Sequence, residues 1–236
     1  MTVEAGMSTS PIAPGAAVAV RTATAADLDG ATGVLVRAFV EEPGNVALLP
    51  DPETREAMVR VVVGPELKGA MRYGTVHVAT VDGQVAGVAV WHPPGAPAVT
   101  LGTLLRTAIG TLVDPRAYLR SLPHKSSVLL RSAPQVLPLA LARHRGVRRA
   151  STGVSWHLAF LATAPEHRGA GLARRLLDRQ LGRCDEDGAA AWLETTDPVN
   201  PPIYERFGFA TVVHVDRTAW LPGFWVMRRE PAGSVP

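Results

Sequence analysis

The alternation of strands and helices after residue 150 is the feature that most constrains how this 236-residue chain can fold. The apolar segment 155–163 predicts a strand, and a turn with two glycines follows it. Leu172–Asp185 has the apolar spacing of an amphipathic helix, and residues 190–196 predict another strand. Helices interleaved with strands in this way imply a mixed sheet with helices on both faces, which is an α/β (α+β) fold.

The earlier part of the chain contains a predicted hairpin. Residues 76–81 and 84–91 alternate in hydropathy and are separated by Asp82-Gly83, a pair typical of two-residue turns because both positions need positive φ. Thr24 followed by Asp27 predicts a capped helix start. The remaining predicted elements are strands at 17–21, 209–215 and 224–228, and helices at 28–40, 52–73 (broken near Gly64-Pro65) and 201–207.

A single domain with an insertion accounts for the length of the chain. Residues 99–150 have mostly helical spacing, and we interpret about 95–154 as a helical insertion between the third and fourth strands. The domain is expected to span residues 18–228. Residues 1–17 are expected to be a disordered lead-in and residues 229–236 a disordered tail.

Composition excludes several classes of protein. The net charge of +3 does not indicate a nucleic-acid-binding or polybasic membrane protein, and the one basic cluster, 143–149, is interpreted as a solvated loop. No apolar run reaches the roughly 20 residues of a membrane span, and the N-terminus does not resemble a secretory signal. The single cysteine, Cys184, excludes a disulfide framework and favours a buried packing role. We therefore expect a cytoplasmic protein with no metal, nucleic acid or membrane partner.

The segment RGAGLA, Arg168–Ala173, lies between a predicted strand and a predicted helix. The first N–H groups of a helix have no partner within it, and Gly169 and Gly171 would let an anion approach the backbone. Taken alone, the segment fits a simple tight turn equally well. It lacks the Gly-Lys-Ser/Thr of a P-loop, and Arg174 stands where a dinucleotide fingerprint has a small residue.

A second segment, WLETTDPVNPPIYERFGF (192–209), decides between these interpretations. Together the two segments resemble the GNAT superfamily of acetyl-CoA-dependent N-acetyltransferases, and the resemblance extends over residues 18–228. Within the superfamily the chain looks most similar to puromycin N-acetyltransferase-like proteins, while residues 95–155 have no convincing match. The other segments that carry this likeness are 87–94 and 156–169.

The resemblance implies a GNAT fold in which two parallel strands splay and acetyl-CoA enters the gap between them. Pantetheine would pair with the backbone at Leu161, Ala162 and Thr163, and Ala162 or Thr163 would donate an N–H to the oxyanion. The implied pyrophosphate cradle consists of Arg168, Gly169, Ala170, Gly171, Leu172 and Ala173.

The resemblance also implies catalytic roles. Tyr204 matches the tyrosine that protonates the departing CoA thiolate, and Asn200 would contact the cofactor or shape its turn. Glu194, on the strand beside the gap, would accept a proton from the attacking ammonium or hold the amine; the alternative is a residue that faces solvent or bonds to the backbone. His157 is a second candidate base, with a structural role as its alternative. Glu41 and Glu42 would line an acceptor pocket or lie in a solvated turn.

The expected function is acetyl transfer from acetyl-CoA to a primary amine of a small molecule, such as an antibiotic or an aminonucleoside-like amine. The amine would attack directly in a ternary complex. Two alternatives remain open: a protein or peptide amine as acceptor, or an acetyl-CoA-binding module without turnover. A monomer or a homodimer is expected.

Overall fold

The computed structural model describes residues 16–49, 51–73, 75–96, 141–217 and 223–233. The strands in these ranges are β1 (Val18–Thr22), β2 (Val76–Val81), β3 (Gln84–His92), β4 (Ser155–Thr163), β5 (Ala190–Thr195), β6 (Ala210–Val215) and β7 (Phe224–Arg229). The helices are α1 (Leu28–Val40), α2 (Pro43–Leu48), α3 (Pro52–Met71), α4 (141–150), α5 (Leu172–Glu186) and α6 (Asn200–Glu205).

The described strands form one mixed sheet in the order β1-β2-β3-β4-β5-β7-β6. Neighbouring strands run antiparallel except β4 and β5, which are parallel because α5 crosses between them. Helices cover both faces, so the predicted mixed sheet with helices on both faces is confirmed.

The two faces of the sheet have separate cores. On the α5 face, leucines of α5 pack against Ala89, Trp91, Leu158 and Leu193 of the sheet. On the α3 face, the apolar sides of α1 and α3 cover β2, β3 and the end of β4. The helix α4 lies on the α3 face, where it packs against Trp192 and β7.

The predicted hairpin is confirmed by the backbone of its turn. Asp82 has φ 49° and Gly83 has φ 80°, and both flanking strands have the expected bounds within one residue. The capped start at Thr24 also forms, since the Thr24 N–H donates to Asp27 Oδ2 at 2.7 Å. Arg21 donates two further hydrogen bonds to Asp27 and lowers the pKa of that carboxyl.

The break expected near Gly64-Pro65 is wrong, because α3 runs through both residues. A proline inside a helix costs about 3 kcal/mol. Val59, Val63 and Leu67 lie on one side of α3 and are buried in the α3-face core. Burial of three such side chains is worth about 1.5–3 kcal/mol each, so packing outweighs the cost of the proline.

The solvated loop expected at 143–149 is also wrong, because these residues belong to α4. A Cβ placed on Gly146 would lie 2.9 Å from Val226 Cγ2 and 3.1 Å from Val213 Cβ, so this helix touches the sheet closely. The basic side chains Arg145, Arg148 and Arg149 occupy its exposed side. Most of the predicted insertion, residues 97–140, and most of the predicted lead-in, residues 1–15, lie outside the described residues.

The helix α5 has the predicted amphipathic character. Its apolar residues Leu172, Leu176, Leu177 and Leu181 are buried, and so is Cys184. Burial raises the pKa of the Cys184 thiol to about 11, which keeps it protonated and unreactive. Among the described residues, no helix is both long enough and apolar enough to cross a bilayer.

Candidate active site

A gap opens in the middle of the sheet where β4 and β5 part. The parallel pairing between them ends at Leu158 and Leu193, although β4 continues to Thr163 and β5 to Thr195. On its other side β4 stays paired with β3 as far as Thr163, opposite Gly87. One edge of residues 159–163 therefore faces the gap without a neighbouring strand.

A β-bulge at Ala159 lies at the apex of this gap. Consecutive residues Val90 and Trp91 of β3 oppose Phe160 and Leu158, so Ala159 is the extra residue in β4. A bulge bends a strand and increases its twist. This bend turns the end of β4 away from β5, which continues straight alongside β7.

The hydrogen-bond register decides which backbone groups face the gap. The Ala164 N–H donates to the Ala86 carbonyl at 2.8 Å, and the Ala162 carbonyl also points toward β3, 3.5 Å from the Cβ position of Gly87. Backbone groups alternate in direction along an antiparallel strand. The N–H and C=O groups of Leu161 and Thr163 therefore face the gap, and the geometry favours these two residues over Ala162 for backbone contacts with a ligand.

The two glycines beyond β4 both have a left-handed backbone. Gly169 has φ 78° and Gly171 has φ 74°, and a Cβ on Gly171 would meet no atom within 4 Å. The first helical bond runs from the Arg175 N–H to the Gly171 carbonyl at 3.1 Å. The N–H groups of Leu172 and Ala173 therefore have no carbonyl within the helix and are directed at the open space, as an anion site requires.

The other members of the predicted cradle differ in exposure. The Leu172 side chain is buried in the α5-face core, so only its backbone is available to a ligand. The Arg168 side chain is exposed, whereas Ala170 and Ala173 are half-buried. Small residues at these two positions leave the open side of the helix start uncovered.

The short helix α6 carries Asn200 and Tyr204. Asn200 Nδ2 donates to Thr195 Oγ1 at 2.9 Å. Of the two roles predicted for Asn200, this contact favours shaping the turn. The Tyr204 ring packs against the α5-face core, with its centroid 5.8 Å from that of Phe209. Burial raises the pKa of Tyr204, so its phenol stays protonated and able to donate.

Glu194 is the first residue of β5 beyond the last parallel pair. Its side chain lies on the α3 face and is 21% exposed, so the solvent-facing alternative does not describe it. Arg143 of α4 donates to Glu194 Oε2 at 2.7 Å. One carboxylate oxygen is thus already occupied by Arg143, and Glu194 is not a free carboxylate.

Comparisons with known proteins agree with this geometry. Residues 139–212, which include the end of the gap, the cradle and α6, match the sequence model of the acetyltransferase (GNAT) domain. An uncharacterized N-acetyltransferase of Schizosaccharomyces pombe is 24% identical over 217 residues, covering 91% of this chain and 84% of the relative. These matches support an acyltransferase whose residues 139–212 are similar to the GNAT domain. Enzymes of this kind use acetyl-CoA as co-substrate.

Solved structures confirm the fold over most of the chain. A Corynebacterium glutamicum acetyltransferase, described as histone acetyltransferase HPA2 and related acetyltransferase, has a TM-score of 0.59 at 20% identity, covering 93% of this chain and 99% of that one. A mosquito arylalkylamine N-acetyltransferase has a TM-score of 0.55 at 17% identity, covering 91% and 100%. The Drosophila melanogaster polyamine N-acetyltransferase has a TM-score of 0.54 at 15% identity, covering 91% and 100%.

The turn between α1 and α2 reaches the gap of the acyltransferase. Glu42 accepts hydrogen bonds from the Thr196 hydroxyl and, at 3.0 Å, from the Asn45 N–H. Thr196 directly follows β5, so Glu42 lies at the end of that strand. The alternative prediction, that Glu42 lies in a solvated turn, is therefore wrong. The Glu41 side chain is 72% exposed and lies 3.4 Å from Arg55.

His157 belongs to a row of stacked rings on the α3 face. Its ring lies 3.8 Å from that of Trp192 and 5.6 Å from that of His92, centroid to centroid. Burial lowers the pKa of His157 to about 3, so the ring is neutral at physiological pH. His157 Nδ1 has no hydrogen-bond partner among the described residues. These contacts favour the structural role over that of a base.

Sequence reasoning missed Arg143 as a residue of the site. It belongs to a basic run, and no local spacing relates it to a strand 51 residues later. In the ranges that the structure describes, no group of three or more His, Cys, Asp or Glu side chains is arranged to hold a metal ion.

Proposed function

We propose that this acyltransferase transfers acetyl from acetyl-CoA to a primary amine of a small molecule, by direct attack in a ternary complex. One observation carries the proposal. The unpaired edge of β4 runs from the apex of the gap to Thr163, and a short turn (164–170) then leads to the open N–H groups at the start of α5. A thioester carrier with an amide-containing arm and a diphosphate matches this sequence of groups.

The donor side follows from the backbone. The outward N–H and C=O groups of Leu161 and Thr163 would pair with the pantetheine amides, as a neighbouring strand would. The diphosphate would accept hydrogen bonds from the N–H groups of Gly169, Gly171, Leu172 and Ala173, whereas the Ala170 N–H already donates to the His167 carbonyl at 3.3 Å. Each charge-assisted bond of this kind is worth about 1.5–3 kcal/mol, so several hold the carrier firmly.

The reacting carbonyl would lie near the apex of the gap. The N–H of Leu161 is nearer the apex than that of Thr163 and is the better donor to the developing oxyanion. The buried phenol of Tyr204 would protonate the CoA thiolate as the tetrahedral intermediate collapses. No side chain needs to form an acetyl-enzyme, because both reactants are held in one gap.

The acceptor side is proposed to be the α3 face around Glu194. The helix α5 covers the other face, and Glu194 and Glu42 border the end of β5. Similar folds with named small amine substrates support a small-molecule acceptor: the mosquito enzyme is named for arylalkylamines and the fly enzyme for polyamines. The likeness to puromycin N-acetyltransferase-like proteins adds aminonucleosides to the candidates.

A protein or peptide amine is the second candidate acceptor. The observation that favours it is the Corynebacterium structure, whose name mentions a histone acetyltransferase. An acetyl-CoA-binding module without turnover is the third.

A thiol-release assay separates these candidates. Purified protein with acetyl-CoA is offered arylalkylamines, polyamines, aminonucleosides, aminoglycosides, amino acids and a lysine-containing peptide, and products are identified by mass spectrometry. An N-acetylated small amine is expected. Product from the peptide alone would establish the second candidate. Acetyl-CoA binding without release of thiol under any condition would establish the third.

The organisation of the chain is part of the proposal. We propose one catalytic domain over residues 18–228, interrupted by the insertion at about 95–154, with a short lead-in (1–17) and tail (229–236). The described part of the tail is attached to the domain, because Arg229 ends β7 and the Ala232 N–H donates to Asp185 Oδ1 at 2.7 Å. We also propose a cytoplasmic location, since the one cysteine of the chain, Cys184, excludes a disulfide framework, and a monomer or a homodimer.

A further inference from the structure

The carboxylates beside the acceptor side of the gap are already matched by donors. Glu194 is held by Arg143 at 2.7 Å, and Glu42 accepts from Thr196 and Asn45. Glu66, on α3, lies 3.6 Å from His92 Nε2. A cationic acceptor would therefore have to share or displace the present partners of these carboxylates.

The segment that joins β3 to β4 is cationic in its sequence. Residues 97–150 contain nine Lys and Arg residues and one Asp, whereas the whole chain has a net charge of only +3. Within its described part, residues 141–150, Arg143 contacts Glu194 beside the gap, and the Arg143 side chain is still 46% exposed. A guanidinium has five N–H donors, so contact with Glu194 leaves donors directed elsewhere.

These charges bear on which amines the enzyme accepts. An acceptor with two ammonium groups places its second charge near Arg143, or must displace Arg143 from Glu194. Both arrangements cost free energy, the first by repulsion between like charges and the second by loss of an ion pair. An acceptor whose remaining atoms are uncharged or anionic meets neither cost.

We propose that Arg143 is a specificity-determining residue that makes the enzyme select monoamines over diamines and polyamines. The proposal rests on the proposed function and names its substrate class. Arg143 acts by neutralising Glu194, and it takes no part in the bond-making step. The names of proteins with similar folds mention arylalkylamines and polyamines. A preference for monoamines favours arylalkylamines as substrates of this enzyme.

The test compares matched amines on matched variants. The value of kcat/KM is measured for butylamine against putrescine, and for benzylamine against para-xylylenediamine. The enzymes are the wild type, Arg143→Gln, Arg143→Lys and Arg145→Gln. Arg145 is on the same helix and exposed, which makes it the control. The wild type is expected to favour each monoamine by about threefold, and Arg143→Gln to shift the ratio about fivefold toward the diamine.

The conservative variant distinguishes charge from packing. Arg143→Lys keeps the positive charge and is expected to retain the preference for monoamines, as is Arg145→Gln. A wild-type preference for diamines, or an unchanged ratio in Arg143→Gln, would overturn the inference while leaving the proposed function intact.

Absence of any amine product is a different outcome, because it contradicts the proposed function first. In that case calorimetric titration of the protein–CoA complex with butylamine and with putrescine tests the role of Arg143. Weaker binding of putrescine that Arg143→Gln relieves would support the charge-selective role. Equal or tighter binding of putrescine by the wild type would contradict it.

Discussion

Arg143 Nη2 lies 2.7 Å from Glu194 Oε2 and joins the helix that precedes β4 to the edge of β5 that borders the gap. The guanidinium is about half exposed and the carboxylate is 21% exposed. The pair therefore connects the end of the insertion to the catalytic sheet at the place where the acceptor is proposed to bind.

A double-mutant cycle of Arg143→Gln and Glu194→Gln is expected to give a small coupling free energy. Partly exposed pairs are screened by water, so we expect at most about 1 kcal/mol in the free energy of unfolding. Urea unfolding of the four proteins measures it, with Arg145→Gln in place of Arg143→Gln as the control cycle. Coupling above about 3 kcal/mol would mean a buried, structural pair.

Gly171→Asp is expected to abolish acetyl-CoA binding while the chain stays folded. The new carboxylate would face the diphosphate at the start of α5. Gly188→Asp is the control, because Gly188 also has positive φ (62°), meets no atom within 4 Å of its Cβ position and lies beyond the other end of the same helix. Both variants lose about 1–2 kcal/mol of stability from the left-handed backbone. Calorimetric titration with acetyl-CoA distinguishes them, and retained binding by Gly171→Asp would refute the cradle.

Tyr204→Phe is expected to lower kcat about 100-fold with little change in KM for acetyl-CoA, because it removes a proton donor and keeps the packed ring. Tyr73→Phe, at a tyrosine that is 75% exposed, is expected to change neither constant. Steady-state kinetics measures both variants. Full activity in Tyr204→Phe would assign the phenol a packing role.

Gly146→Ala and Gly182→Ala are expected to change stability in opposite directions. A Cβ on Gly146 would meet Val226 at 2.9 Å and should cost about 1–3 kcal/mol by forcing α4 off the sheet. A Cβ on Gly182 of α5 meets no atom within 4 Å, and alanine there should stabilise by about 0.5–1 kcal/mol. Denaturant midpoints measure both. A neutral Gly146→Ala would contradict the close contact of α4 with β6 and β7.

Stability is expected to fall between pH 7 and pH 5 because two histidines are buried in neutral form. Burial lowers the pKa of His157 to about 3 and that of His77 to about 4, against an ordinary value near 6.5. The unfolded chain therefore binds more protons below pH 6.5, and stability is lost as the pH falls through that value. At pH 5 each histidine costs about 2 kcal/mol.

Thermal unfolding across this pH range tests the histidine prediction. The slope of stability against pH should be reduced in His157→Gln and in His77→Gln, and unchanged in His144→Gln, whose side chain is exposed. Equal slopes in all four proteins would mean that other groups cause the acid sensitivity.

Much of the fold was predictable because its rules are local. The turn at Asp82-Gly83, the amphipathic side of α5 and the two-glycine turn before α5 depend on residues close together in the sequence. Each is decided by backbone sterics or by the period of apolar residues. The predicted break in α3 was wrong because a local rule for proline does not take account of tertiary packing. The burial of Val63 and Leu67 keeps the helix continuous.

The candidate site divides in the same way. The sequence by itself determined the strand, the glycine turn and the helix start that form the proposed donor side, because the proposed anion site consists of backbone groups close together in the chain. Only the tertiary structure decided that the bulge at Ala159 turns Leu161 and Thr163 toward the gap, that Arg143 meets Glu194, and that Glu42 meets Thr196. Those contacts join residues far apart in the chain, and their partners are selected by how helices and strands pack.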